Sequence, residues 1–166
     1  MPRTDFHEEK MHDFYYKNGE LYCDRARVSK ILKKTGTPAY IYSHKTFVEH
    51  LAKLQKAFRS AKPLICYSVK ANSNLAVLRA LVKKGAGLDI VSGGELFRAK
   101  KAKCLGKKIV YAGVGKTSEE IRAAIKTRIL LFNVESIPEL EQINVIAKKM
   151  RKKVNVSLRI LSLIHI

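Results

Sequence analysis

Short runs of apolar, β-branched or aromatic residues alternate along this chain with longer stretches whose apolar residues recur every three or four positions. The short runs are Ala39–Tyr42, Leu64–Val69, Leu88–Val91, Ile109–Ala112, Ile129–Phe132 and Val154–Ile160. Their length and their β-branched and aromatic content predict buried strands. Between them lie Thr46–Arg59, Leu75–Lys84, Gly94–Lys103, Ser118–Lys126 and Pro138–Lys149, which predict amphipathic helices. In Leu75–Lys84, for example, Leu75, Leu78, Leu81 and Val82 fall on one stripe. Thr117 with Glu120, and Ser136 with Glu139, have the spacing of capping boxes, in which hydroxyl and carboxylate each satisfy a free N–H of the first turn. Gly85 and Gly87 stop a helix and turn the chain into the next strand.

Strand starts recur about every 20–25 residues, the period of parallel βαβ units. Six strands joined by five helices fit a doubly wound sheet or part of a barrel; a complete (β/α)8 barrel needs about 250 residues. The N-terminal region departs from this pattern. Phe14–Tyr16 and Glu20–Cys23 flank Asn18-Gly19 and predict a hairpin that belongs to another layer or domain.

The chain has 166 residues and is 46% hydrophobic, enough for one domain with a sizeable core. No apolar run approaches the ~20 residues of a membrane span, and the opening MPRTDFHEEK lacks the apolar stretch of an export signal. Cys23, Cys66 and Cys104 are widely spaced and odd in number, so they predict neither a disulfide framework nor a metal motif, and a reducing compartment is the default. No histidine stands at a ligand spacing from a cysteine or carboxylate.

Charge changes the picture more. Thirty-three Lys and Arg against 14 Asp and Glu give +19, which favours acidic partners, nucleic acid among them. The cations concentrate at Arg98–Lys108 and Lys148–Lys153, with no aromatic residue interleaved in either cluster. That composition predicts solvated helix faces rather than a platform for stacked bases.

Five features bear on candidate chemistry. Gly113-Val114-Gly115-Lys116-Thr117 ends like a phosphate-binding loop, but Val110 stands where that motif needs a glycine, which leaves a capped strand-to-helix loop. Gly85-Ala86-Gly87 lacks the third glycine of a dinucleotide fingerprint, position 90 being Ile. Lys70 ends the buried-type strand Leu64–Val69, at the end where α/β folds bind ligands. A lysine held there is either a solvated surface cation or an amine nucleophile able to form a Schiff base. Asp89 lies within the next strand, where an acid is costly without a partner. Glu95 follows Ser92-Gly93-Gly94 at the start of a helix, a position the helix dipole favours for a carboxylate.

Four motifs in order resemble one family. Cys66-Tyr67-Ser68-Val69-Lys70-Ala71-Asn72-Ser73-Asn74 resembles the cofactor-lysine motif of the fold-type III pyridoxal-phosphate decarboxylases. Gly85–Leu96, Ala112–Thr117 and Phe132–Ser136 narrow the resemblance to the diaminopimelate decarboxylases. It implies an α/β fold: an incomplete (β/α)8 TIM barrel of the alanine racemase-like type, with the hairpin of residues 1–37 belonging to a β-domain supplied mostly by later sequence. Residues 38–160 would form the first part of the pyridoxal-phosphate-binding barrel, and 161–166 a non-native tail where the family continues differently. Met11 is an alternative initiator on this reading.

The activity implied is decarboxylation of meso-2,6-diaminopimelate to L-lysine and carbon dioxide, the last step of lysine biosynthesis, by a cytoplasmic homodimer without membrane attachment. Lys70 matches the catalytic lysine that holds pyridoxal 5'-phosphate. Asp89 and Glu95 match acids lining the cofactor site, and Arg159 matches a strand arginine near the cofactor's phenolic oxygen. No metal is implied. The family's phosphate loop, ring-stacking histidine and catalytic cysteine match nothing in these 166 residues, which are therefore expected to be a fragment inactive by itself. The competing readings are another decarboxylase of the same fold (for ornithine, arginine or carboxynorspermidine) and, outside enzymes, a basic nucleic-acid-binding module.

Overall fold

A computed structural model describes residues 12–160. The tail 161–166 and the alternative start at Met11 lie outside the described residues. These divide into two compact units between Leu54 and Gln55.

In the first unit, β1 (Phe14–Lys17), β2 (Glu20–Cys23) and β3 (Ala26–Arg27) form an antiparallel sheet in that order. The predicted hairpin is present. Asn18 and Gly19 both take positive φ, 51° and 74°, the mirror-image turn that matches strand twist. Tyr15 stacks on Tyr22 across the pair with centroids 5.4 Å apart. Helix α1 (Val28–Thr35), which the periodicity does not announce, follows β3 and buries none of its residues.

The predicted strand Ala39–Tyr42 does not form, and the segment runs irregularly into α2 (His44–Ala57). Among the described residues no strand pairs with it, and Tyr40 and Tyr42 are both exposed.

The second unit holds the βα repeat. Strands β4 (Cys66–Ser68), β5 (Gly87–Ile90), β6 (Ile109–Tyr111), β7 (Leu131–Val134) and β8 (Val156–Leu158) form one parallel sheet in sequence order. Helices α3 (Leu75–Lys83), α4 (Gly93–Lys101), α5 (Ser118–Thr127) and α6 (Ile137–Lys149) connect them. Strand β7 starts two residues later than periodicity suggests. Arg128 is left-handed (φ 55°) and the Ile129 N–H returns to the Ala124 carbonyl, so both still belong to the helix exit.

Successive side chains of a strand point to opposite faces, and burial follows that alternation. Leu88, Ile90, Ile109, Tyr111, Phe132 and Val134 are buried and pack with Leu78, Leu96, Ile121 and Ile143 of the helices. Their in-strand neighbours Asp89, Val110 and Asn133 are only partly covered. The helix-covered face supplies the core; the other face stays open and carries the polar residues.

Two glycines fix how closely the units of this repeat approach. A Cβ on Gly106 would strike the backbone carbonyls of Thr127 and Arg128, and one on Gly87 would come within 2.5 Å of the Lys108 carbonyl. Gly106→Ala should therefore destabilise the chain by about 3 kcal/mol, the upper range for overpacking, as read by urea unfolding. A loss no larger than the ~0.5 kcal/mol scatter of surface substitutions would contradict that packing.

Candidate active site

A parallel sheet gathers the carboxyl ends of its strands at one end of the unit, and the chain there changes from strand to loop. Strand β4 passes directly into a one-turn 3-10 helix, Val69–Ala71, that buries Val69 and leaves Lys70 exposed. Asn72 and Asn74 shape the loop that follows: the Asn72 side chain accepts the Asn74 N–H, and the Asn74 side chain accepts the Ala76 N–H at the start of α3.

Lys70, Asp89, Gly113, Asn133, Glu135 and Arg159 come from the ends of all five strands and line one cleft of about 630 Å³. Three of the four predicted site residues thus meet. Asp89 sits beside Ser68 in the β4–β5 register, and Asp89 Oδ1 and Ser68 Oγ are both buried without a hydrogen-bond partner. Burial pushes the Asp89 carboxyl above the usual carboxylate range, while the charges of Lys70 and Arg159 pull it partly back.

Glu95 lies outside the residues lining the cleft. Ser92 caps α4 by accepting the Glu95 N–H, and Glu95 Oε2 accepts the Val91 N–H at 2.8 Å. Its contact with the cleft is indirect, through Val91.

Carboxylates also tie the strand-end loops after β5, β6, β7 and β8 to one another. Glu120 completes the predicted capping box with Thr117 and reaches across to the Gly93 N–H at 2.6 Å. These backbone donors, Thr117 first, hold its carboxyl below the usual range. Glu135 Oε1 accepts the Gly113 N–H at 3.0 Å and Arg159 Nη1 at 3.3 Å. The second predicted capping box forms only in part. Ser136 accepts the Glu139 N–H, but the Glu139 carboxylate goes to the Glu135 N–H and to Lys116.

The sequence pattern marks Lys116 only as part of a capped loop. In the fold its side chain is fully buried and pairs with Glu139 at 2.5 Å. Nothing in the local pattern separates it from the other cations of a strongly basic chain.

The family model of the pyridoxal-binding domain of pyridoxal-dependent decarboxylases matches residues 44–164. The chain belongs to that family. Within it, the pyridoxal-binding domain is similar to the diaminopimelate decarboxylase of Aquifex aeolicus, 46% identical over 145 residues, covering 87% of this chain and 34% of that protein. The Haemophilus influenzae diaminopimelate decarboxylase is 43% identical over 150 residues, covering 90% of this chain and 36% of its own length. The crystal structure of the M. jannaschii enzyme in complex with L-lysine matches with a TM-score of 0.83 and 38% identity, over 88% of this chain and 35% of that one. The chain thus spans about a third of the length of the curated relatives it matches, and the α/β fold is part of their TIM-barrel architecture.

The residues present fit the cofactor that the pyridoxal-binding domain implies. A lysine amine opens on the cleft, the guanidinium of Arg159 faces the same space, and Asp89 Oδ1 still lacks a donor. No cysteine is among the residues that line the cleft; burial pushes the Cys104 thiol up to about 11, and burial followed by the Asp89 charge raises Cys66. Among the described residues no cluster of His, Cys, Asp and Glu could hold a metal ion.

A carboxyl raised on folding costs stability at every pH above its folded pKa, and that cost disappears as pH falls below its unfolded value near ~3.9. Asp89→Asn should therefore stabilise the pyridoxal-binding domain at pH 7, because the amide carries no charge to desolvate. The gain should vanish near pH ~3. Urea midpoints at the two pH values test this; a loss of stability at pH 7 would mean that Asp89 is satisfied in the fold.

Proposed function

We propose that this chain is the cofactor-binding segment of a diaminopimelate decarboxylase, which converts meso-2,6-diaminopimelate to L-lysine and carbon dioxide. The observation that carries the reading is Lys70 at a strand end, opening on a cleft shared with Asp89 and Arg159. The chain's identity to proteins of that name supports it. The M. jannaschii relative supports it too, since that enzyme crystallised with L-lysine, the product of this reaction.

Bound here, pyridoxal phosphate supplies an electron sink for the carbon that loses its carboxylate. Lys70 would hold it through its Nζ amine, the nucleophile that the cleft offers. Arg159, oriented by Glu135, sets a positive charge in the cleft wall that favours an anionic oxygen. Asp89 Oδ1 offers an acceptor that no protein donor occupies. Val91, Ala112, Val114 and Leu158 contribute the apolar part of the cleft lining. Glu95 supports the cleft through Val91.

For the whole enzyme we infer a cytoplasmic homodimer, on the motif resemblance; among the described residues no helix is long and apolar enough to cross a membrane. Complementation tests the substrate. The reading frame that carries these residues should restore growth without lysine to a bacterium lacking diaminopimelate decarboxylase. Rescue of a polyamine auxotroph instead would assign the cleft to ornithine or arginine.

A further inference from the structure

A buried lysine is costly unless every donor and its charge are satisfied. Lys116 meets that condition in full: Nζ donates to the Gly113 carbonyl at 2.6 Å, the Asn133 carbonyl at 2.9 Å and Glu139 Oε1 at 2.5 Å. Its ammonium also lies 5.5 Å from the centroid of the buried Tyr111 ring. Glu139 Oε2 accepts the Glu135 N–H at 3.0 Å. The Glu135 side chain, 8% exposed, then receives both the Gly113 N–H and Arg159. Gly113 is held at both its carbonyl and its N–H, in a left-handed conformation (φ 95°). One ion pair beneath the cleft thereby fixes the ends of β6 and β7 and, through Glu135, the guanidinium that follows β8.

We propose that Lys116 is a positioning residue for the cleft: its buried pair with Glu139 fixes Glu135, and Glu135 in turn aims the Arg159 guanidinium into the cleft. What Arg159 is aimed at rests on the cofactor-site reading above; the positioning itself does not. A phosphate-loop role for Lys116 is excluded by the same geometry, because all three N–H groups are spent on the protein and the side chain has no exposed surface.

The test reads Asp89 in the cofactor-free chain, so its outcome is independent of whether pyridoxal phosphate binds. The groups whose charges act on Asp89 are Lys70 and Arg159, with Cys66 beside it. Carbon-detected NMR titration of the Asp89 carboxyl is compared in four proteins: native, Lys116→Met/Glu139→Leu, Arg159→Met and the combination. Replacing the pair removes one positive and one negative charge together, and apolar replacement of a buried pair commonly preserves folding. If the pair acts by aiming Arg159, the double variant titrates at higher pH than native by about half a pH unit, and the same replacement has no effect in the Arg159→Met background. An unchanged Asp89 titration in the double variant overturns the proposal. So does an equal shift with and without Arg159, which a purely structural role would give. Should the double variant fail to fold, Lys116→Gln/Glu139→Gln removes both charges together while keeping polar side chains of similar length. It is read in the same cycle with the same two overturning results.

Discussion

Replacing Lys116 with Met alone should destabilise the chain by about 3–5 kcal/mol, the usual consequence of removing one partner of a buried ion pair. The side chain of Lys116 is 0% exposed and that of Glu139 7%. The single variant leaves a carboxylate uncompensated in the interior, and it strips the donor from two strand-end carbonyls. Set against the ~5–15 kcal/mol that holds a typical domain together, this is enough to populate unfolded chains at ordinary temperature. Lys116→Met/Glu139→Leu removes both charges and should cost less than half as much. Urea unfolding of the two variants decides it. A single variant within ~1 kcal/mol of native would show that Glu139 is solvated and that no ion-pair network underlies the cleft.

Lys70→Ala should have a comparably large effect on cofactor binding and almost none on folding. Lys70 is exposed, whereas Val69 beside it is packed in the core. Lys70 is also the one lysine among the residues that line the cleft. Without its amine, the saturable, yellow-absorbing complex with pyridoxal phosphate should disappear. The urea midpoint should remain within the ~0.5 kcal/mol scatter of surface substitutions. Retained saturable binding at native absorbance would mean that another lysine carries the cofactor.

Much of this site is legible in the sequence because strand ends are. Lys70 follows a buried-type run, and Asp89 interrupts one; the parallel register then places Asp89 next to Ser68 and brings Arg159 to the same end. All five strands form close to where the runs fall, and period-two burial accompanies them in β5, β6 and β7. The departures have a common cause in contacts distant along the chain. Ala39–Tyr42 has strand-like residues but acquires no ladder, and its tyrosines remain exposed. Ser136 and Glu139 have capping-box spacing, yet Lys116, 23 residues away, supplies a charged partner that redirects one carboxylate oxygen. Glu95 resembles a cofactor-lining acid by motif, whereas in the fold its Oε2 accepts the Val91 N–H and the residue lies outside the cleft lining. Lys116 itself is one cation among 33 Lys and Arg, and only the fold shows that it is enclosed.

The excess of basic residues has no counterpart in the ion pairs of the fold. Among the described residues such pairs are few, and the two built on a buried carboxylate, Lys116–Glu139 and Arg159–Glu135, belong to the cleft and its support. The surface cations of α4 and α6 lie on exposed faces, as the composition predicts.

The claim that the strand-end cleft holds pyridoxal phosphate through Lys70 is tested most directly by trapping. The chain is equilibrated with a sub-stoichiometric amount of pyridoxal phosphate, reduced with borohydride, digested and mapped by mass spectrometry. The reduced cofactor is expected on the peptide containing Lys70, far above any of the other lysines of this basic surface, and the label there should be lost in Lys70→Ala. Label spread evenly over exposed lysines such as Lys100, Lys149 and Lys153, with Lys70 no more reactive than they are, would contradict it.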